Sequence, residues 1–246
     1  MKKISLLTFL ILLYNISFSQ GIKGKAIYSL SFSESYMQNM KESKSNYVKN
    51  LAKQMAQNIA KIEVELKFLN EESIFKGIEN IDISDIEYES IMGMIFSNGV
   101  KYTNLETKET LWQKEAYGQK VLLKSSLDSL KWVLVNETKQ IGEFFCHKAT
   151  TTRTVINSKG TFHHLIVAWY CPELPIRFGP AGYGNLPGLI IKLTEQTAIF
   201  NLRELVLNSK EKIVIKKPSK GELMTEKELL NIGFDRTNKF KKSLRN

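Results

Sequence analysis

The plainest hydrophobic pattern in the chain begins at Val48. Val48, Leu51, Met55, Ile59 and Ile62 recur at three- and four-residue steps with Lys, Gln and Asn between them. That is the apolar stripe of an amphipathic helix, and Ser45 is placed to cap it, so a helix is expected over 45–62. At Ile62 the period changes to two. Ile62, Val64, Leu66 and Phe68 alternate with Glu63, Glu65 and Lys67, as in a strand with one face buried. A turn at Asn70-Glu71-Glu72 sends the chain back along 73–78.

Segments of the same kind fill most of the remainder. Gly24–Phe32 precedes the helix. Met92–Phe96 and Val100–Leu105 flank Asn98-Gly99, a hairpin-turn dipeptide. Thr110–Tyr117 and Val121–Ser125 flank Gly118. Trp132–Val135, Glu143–Thr154 and Thr161–Tyr170 follow. Leu189–Thr194 and Thr197–Leu207 flank Glu195-Gln196, and Lys212–Lys216 is expected as the last strand. Thr225 with Glu228 three residues on forms a capping box for a short C-terminal helix, with Gly233 as its stop. The expected class is α+β, mainly β: one large curved antiparallel meander, half-barrel-like, covered by one long helix and an irregular loop, with a short C-terminal helix.

The first residues read as an address. Met1-Lys2-Lys3 is basic, Ile4–Ile16 is almost wholly apolar, and Ser17-Phe18-Ser19 offers small residues for cleavage. This predicts a signal peptide over 1–19, because the run is short of the ~20 residues that span a bilayer. A single mainly-β domain is expected over 20–235 and a basic tail over 236–246. The chain would then be exported, to the periplasm, the outer envelope or the medium. It has 246 residues, 43% hydrophobic and 24% charged, with a net charge of +10. A nucleic-acid partner is unexpected outside the cytoplasm; anionic surfaces fit the charge better. No later stretch reaches membrane-spanning length.

Two cysteines and three histidines leave little material for a metal site. A tight turn pairing Asn157 with Gly160 places Cys146 directly opposite Cys171. Cross-strand Cα atoms lie about 4.5–5.5 Å apart, inside the roughly 4.4–6.8 Å that a disulfide accepts. In an exported protein these two form a disulfide, or stay as two buried free thiols, or include a single reactive one. In that register His163 and His164 lie far up the ladder from the cysteines and His147 faces away from Cys146, so no three ligands converge. No metal and no cofactor is expected.

Four of the five prolines fall between Pro172 and Pro187, interleaved with Gly179, Gly182, Gly184 and Gly188. Proline fixes φ and glycine permits positive φ, so the run specifies one irregular path. Leu174, Ile176, Phe178, Tyr183 and Leu186 make it apolar. It is either a crossover packed on the sheet or a ligand-gating element. The run Gly184-Asn185-Leu186-Pro187-Gly188-Leu189-Ile190, with Gly179-Pro180, Ala168-Trp169-Tyr170, Pro175-Ile176 and the Ile141–Thr151 segment before it, resembles the signature of the GLPGLI family of exported bacterial proteins. Asn185 stands where that family has glycine, and asparagine also takes positive φ readily. The resemblance implies an exported, mostly β protein and implies no reaction.

No nucleophile motif, zinc-protease motif or phosphate loop occurs, and Glu71-Glu72 and Asp82/Asp85 read as turn residues. The expected function is an envelope protein that is not a catalyst and binds a hydrophobic ligand or lipid between the sheet and helix 45–62. Two alternatives stand beside it: a scaffold or accessory subunit of an envelope complex, and a hydrolase with an unrecognised site.

Overall fold

The computed structural model describes residues 21–78, 82–95, 98–157, 160–208 and 210–243. The expected signal peptide lies outside the described residues. Twelve strands form one open sheet. Strands β1 (Lys23–Phe32), β2 (Glu63–Leu69), β3 (Glu72–Ile78), β4 (Val100–Asn104), β5 (Glu109–Ala116) and β6 (Gln119–Ser126) run in chain order toward one edge. Strands β11 (Ala198–Leu207), β10 (Leu189–Thr194), β9 (Gly160–Cys171), β8 (Phe144–Asn157) and β7 (Val133–Ile141) run in reverse order toward the other. The two meanders meet at the central β1–β11 pair. This is the mainly-β, curved and unclosed sheet that the alternation predicts.

The turns follow from residue chemistry. Tyr117 and Gly118 both take positive φ, 54° and 74°, in the two-residue turn between β5 and β6. Glu195 donates its N–H to the Ala198 carbonyl across the β10–β11 turn at 2.8 Å. The β8–β9 ladder pairs Asn157 with Gly160 and keeps that register down to His147 opposite Tyr170.

Four helices surround the sheet: α1 (Glu34–Lys41), α2 (Asn46–Ile59), α3 (Asp85–Met94) and α4 (Glu226–Ser243). α2 lies where expected, capped by Ser45, with Ala52, Met55 and Ile59 buried toward β1. It shares that task. α3 buries Ile91 and Met92 in the same core, and the Tyr36 hydroxyl of α1 reaches Met94 Sδ at 2.8 Å. The expected strand at 92–96 is therefore corrected: its described residues end α3, and Gly99 (φ 78°) leads from there into β4 rather than turning a hairpin.

Two corrections concern the C-terminal part. Residues 212–216 are not a strand. They cross the face of β4–β6 that carries Tyr102, Leu111 and Leu122, with Ile215 packed on that cluster and Lys217 bonded to Glu109. The last strand is instead β12 (Glu222–Met224), which pairs in parallel with β6 and covers that edge. The capping box forms as read: Glu228 N–H donates to Thr225 Oγ1 at 3.2 Å and Thr225 N–H to Glu228 Oε2 at 2.7 Å. Yet α4 continues through Gly233 to Ser243, so the expected basic tail is helical as far as it is described. Gly233 serves packing rather than a stop: its bare Cα lies against the Tyr117 ring, where a Cβ would come within 2.2 Å of the hydroxyl. Arg236 then bonds the Tyr117 carbonyl.

Candidate functional site

The Pro-Gly loop lies inside the curl of the sheet. Ile176, Phe178, Ala181, Tyr183 and Leu186 are all buried. Gly179 and Gly188 permit this approach: a Cβ on Gly188 would sit 2.1 Å from the Cys171 carbonyl, and one on Gly179 would meet the Ile190 side chain. Pro180 opens a single 3-10 turn. Gly184 bridges to Phe178 and accepts the Trp132 indole N–H at 3.0 Å. Asn185 takes φ 65°, a left-handed conformation that asparagine tolerates, and its side chain receives Arg177. Leu186, Leu189 and Ile190 are core, and Pro187 is exposed. The loop thus packs across the sheet, and three of its residues, Ala181, Gly182 and Tyr183, also wall a cavity.

That cavity, of ≈340 Å³, lies between β4–β6 and β8. These strands are far apart in the sheet order, so the curl of the sheet brings them together around the loop. Its floor has an unexpected residue. One register row crosses six strands as Ala26, Leu66, Phe75, Lys101, Trp112 and Leu123. Five members are apolar and one is lysine. Lys101 is 7% exposed, donates to the Ala181 carbonyl at 2.9 Å and lies 4.4 Å from the Trp112 ring centroid. Burial, reinforced by the Arg153 charge, pulls its pKa down to about 7, against the opposing pull of Glu195 and Glu226.

The other ionisable groups come from separate elements. Arg153 of β8 reaches Glu226 in the first turn of α4 at 3.7 Å, tying the two arms of the curl together. Burial pulls its pKa down, but Tyr183, Glu195 and Glu226 outweigh that and raise it. Tyr183 is buried, and desolvation first and the Glu195 carboxylate second hold its hydroxyl well above the ordinary phenol range. That hydroxyl makes no well-formed hydrogen bond among the described residues. The Lys114 amine lies 3.7 Å from the Trp112 ring centroid, with its pKa lowered by burial. Two further cavities, of ≈380 and ≈360 Å³, have no comparable buried charge. None of the three is lined by α2, where the acyl-chain space was expected.

Cys146 and Cys171 are buried, unbridged thiols, so of the outcomes left open for this pair the structure shows no disulfide. The described pairing of β8 with β9 ends one step before them, at His147 opposite Tyr170, and on its other side Cys171 pairs with Leu189 of β10. Desolvation, then the neighbouring Cys171, pushes the Cys146 thiol up to about 12. No group of three His, Cys, Asp or Glu side chains suited to a metal ion occurs among the described residues. No described helix is long and apolar enough to cross a membrane.

Residues 157–192 match the model of a family described as a protein of unknown function, Porph_ging. That stretch contains β9, the whole Pro-Gly loop and the start of β10. Among curated proteins no sequence matches the chain. Among solved structures, PNGF-II in a C2 crystal form is similar at a TM-score of 0.48 and 13% identity, over 85% of this chain and 32% of that one. Its P21 form gives a TM-score of 0.47 at 13% identity, over 85% and 33%. The chain thus spans about a third of that protein's length.

Proposed function

We propose that this chain is an exported envelope protein of GLPGLI type that binds a small ligand without transforming it. Its ligand seats in the cavity floored by Lys101 and Trp112. Export is supported by the basic start, the apolar run over 4–16 and the small residues at Ser17 and Ser19. The observation that carries the binding reading is Lys101. A lysine in an apolar row, nearly excluded from water, lowers stability, and it opens onto a cavity of the size that small ligands occupy. The cavity is walled by β4–β6, β8, the Pro-Gly loop and the first turn of α4, so a ligand there bridges the two arms of the sheet.

The test is native mass spectrometry of protein purified from the periplasm. One small adduct per chain is expected, and it should be missing from Ser125→Trp, which fills the cavity from an exposed strand position. Equal adducts on both proteins, or none on either, would sink the reading. The accessory-subunit alternative has one observation in its favour. Val133, Leu134 and Leu165 on the β7–β9 arm are each about three-fifths exposed (62%, 59% and 62%). A stable complex retained by Ser125→Trp but lost in Leu134→Ser/Leu165→Ser would select it.

A further inference from the structure

Resting on that reading, we infer that the ligand is a small carbonyl compound, an aldehyde with a short apolar body, which the Lys101 amine holds as a reversible imine. The placement of the amine carries this. Lys101 donates to the Ala181 carbonyl at 2.9 Å and lies 4.4 Å from the Trp112 ring centroid, so its position is set from two sides. A lysine needed only to hold Ala181 would be sealed in by packing. This one lines a cavity of ≈340 Å³ whose rim includes the exposed Ser125, Ser126 and Ser129. Burial, then the Arg153 guanidinium, favours the neutral amine against the pull of Glu195 and Glu226, and a desolvated neutral lysine is a nucleophile. Among small electrophiles, a carbonyl compound joins an amine with loss of water alone, which water reverses, so the ligand is recovered intact. Trp112, Leu123, Leu127 and Leu130 line the same cavity and suit an apolar body.

The step balances with water as its only other product. The nitrogen lone pair attacks the carbonyl carbon, the N–C bond forms, and the C=O π pair moves onto oxygen, which takes a proton from nitrogen. The carbinolamine then loses that hydroxyl with the second nitrogen proton as water, and the nitrogen pair closes C=N. No oxidant or reductant enters. Hydrolysis runs the same path back. Tyr183 lines the cavity with its hydroxyl held well above the ordinary phenol range, so it stays protonated and donates to the carbonyl oxygen. The carboxylates of Glu195 and Glu226, which already act on position 101, stabilise the imine once it takes up a proton, and its N–H then keeps the Ala181 carbonyl answered.

The experiment incubates the exported protein with 3-phenylpropanal and cyanoborohydride at pH 7.5 and locates the reduced adduct by peptide mass spectrometry. Tryptophan fluorescence with 3-phenylpropanal alone measures binding. The expected result is saturable binding and one phenylpropyl group per chain, with Lys101 modified at least about tenfold more than any other lysine. Lys114 is the internal control. Burial lowers its pKa too, and its amine lies 3.7 Å from the same ring, but it does not line the cavity and should stay unlabelled. Lys101→Met should lose the label, and Ser125→Trp, which keeps the lysine and fills the cavity, should lower it about tenfold. Saturable binding with label spread evenly over the lysines, or greatest on Lys114, overturns this inference and leaves the cavity reading in place. Absence of both binding and label at Lys101 overturns it as well, and the native adduct compared with Ser125→Trp then reports on the cavity reading by itself.

Discussion

Replacing Lys101 by methionine should make the protein more stable at neutral pH and remove part of its pH dependence. The lysine has an unfolded value near 10.5 and a folded value lowered to about 7. A base with a depressed folded pKa binds its proton better when unfolded. Its destabilising effect is therefore complete below about pH 7 and fades as pH rises toward 10.5. At pH 7 the shift corresponds to a penalty on the order of 4 kcal/mol. Methionine has nearly the same length and no charge to desolvate, but it leaves the Ala181 carbonyl without its donor, which costs about 1–3 kcal/mol. The net expectation is a gain of about 1–3 kcal/mol at pH 7. Between pH 7 and 8.5 the wild type should gain on the order of 1–2 kcal/mol from this lysine alone, and the variant should not. The window stops there because Cys146, raised to about 12, and the buried tyrosines begin to destabilise the fold as their unfolded forms ionise near pH 9 and 10. Urea unfolding followed by tryptophan fluorescence at pH 7, 7.75 and 8.5 measures both quantities. A variant that is less stable than wild type at pH 7 and has the same slope would refute the assignment of Lys101 as a buried, destabilising base.

Three further outcomes follow from the same geometry. Both thiols should resist a thiol-exchange reagent at pH 8 in the native protein and react fully in urea, because each is buried and Cys146 is held protonated; fast native labelling would contradict the packing. Gly188→Ala should cost about 3 kcal/mol, since its Cβ would lie 2.1 Å from the Cys171 carbonyl, whereas Gly118→Ala, with open space but φ 74°, should cost about 1 kcal/mol in the same denaturation assay. Glu226→Gln should change stability by less than about 1 kcal/mol in that assay, because its carboxylate is 54% exposed; a clearly larger loss would mean that the Arg153–Glu226 pair holds the two arms together more strongly than an exposed ion pair does.

The sheet was readable because its strands alternate cleanly and its turns carry their own chemistry. Val64, Leu66 and Phe68 face the core, Gly118 turns a hairpin, and the Asn157–Gly160 turn fixes the β8–β9 register. The helices were readable where one face is apolar or, for α4, where a capping box marks the start. α2 shows a stripe, but α1 buries none of its residues, so no stripe marks it. α3 carries apolar residues nearly all round, and its end, Ile91-Met92-Gly93-Met94-Ile95, reads equally well as a strand. A local signal was nonetheless present: Ser84-Asp85-Ile86-Glu87 has the same spacing as Thr225–Glu228, and Ser84 accepts the Glu87 N–H. The site was the least legible part. Its charged groups come from β4, β8, the β10–β11 turn and α4, and nothing local links them. Alternation in β4 also misleads, because Tyr102 and Lys101 are both buried: one faces the crossing segment 210–220, the other the cavity.

The Pro-Gly loop and Lys101 explain each other. An unclosed sheet of twelve strands has more inner surface than four helices cover, and the loop fills the difference with Ile176, Phe178 and Leu186. Glycines at 179 and 188 bring its backbone against β9 and β10 more closely than any side chain allows. A backbone placed that deep must have its polar groups satisfied. The carbonyl of Ala181, at a residue held at φ 56°, is answered by Lys101, which the β4 register brings to that point. A serine or asparagine of shorter reach would leave the carbonyl unanswered, and an apolar residue would do the same. Pinning the loop needs only a neutral donor, however, and the amine form supplies one. What the lysine adds beyond that is a charge that can be regained, on the floor of a cavity whose opposite wall holds an arginine. Structural duty accounts for a donor at position 101; an ionisable one at the edge of a cavity is what that duty leaves over for function.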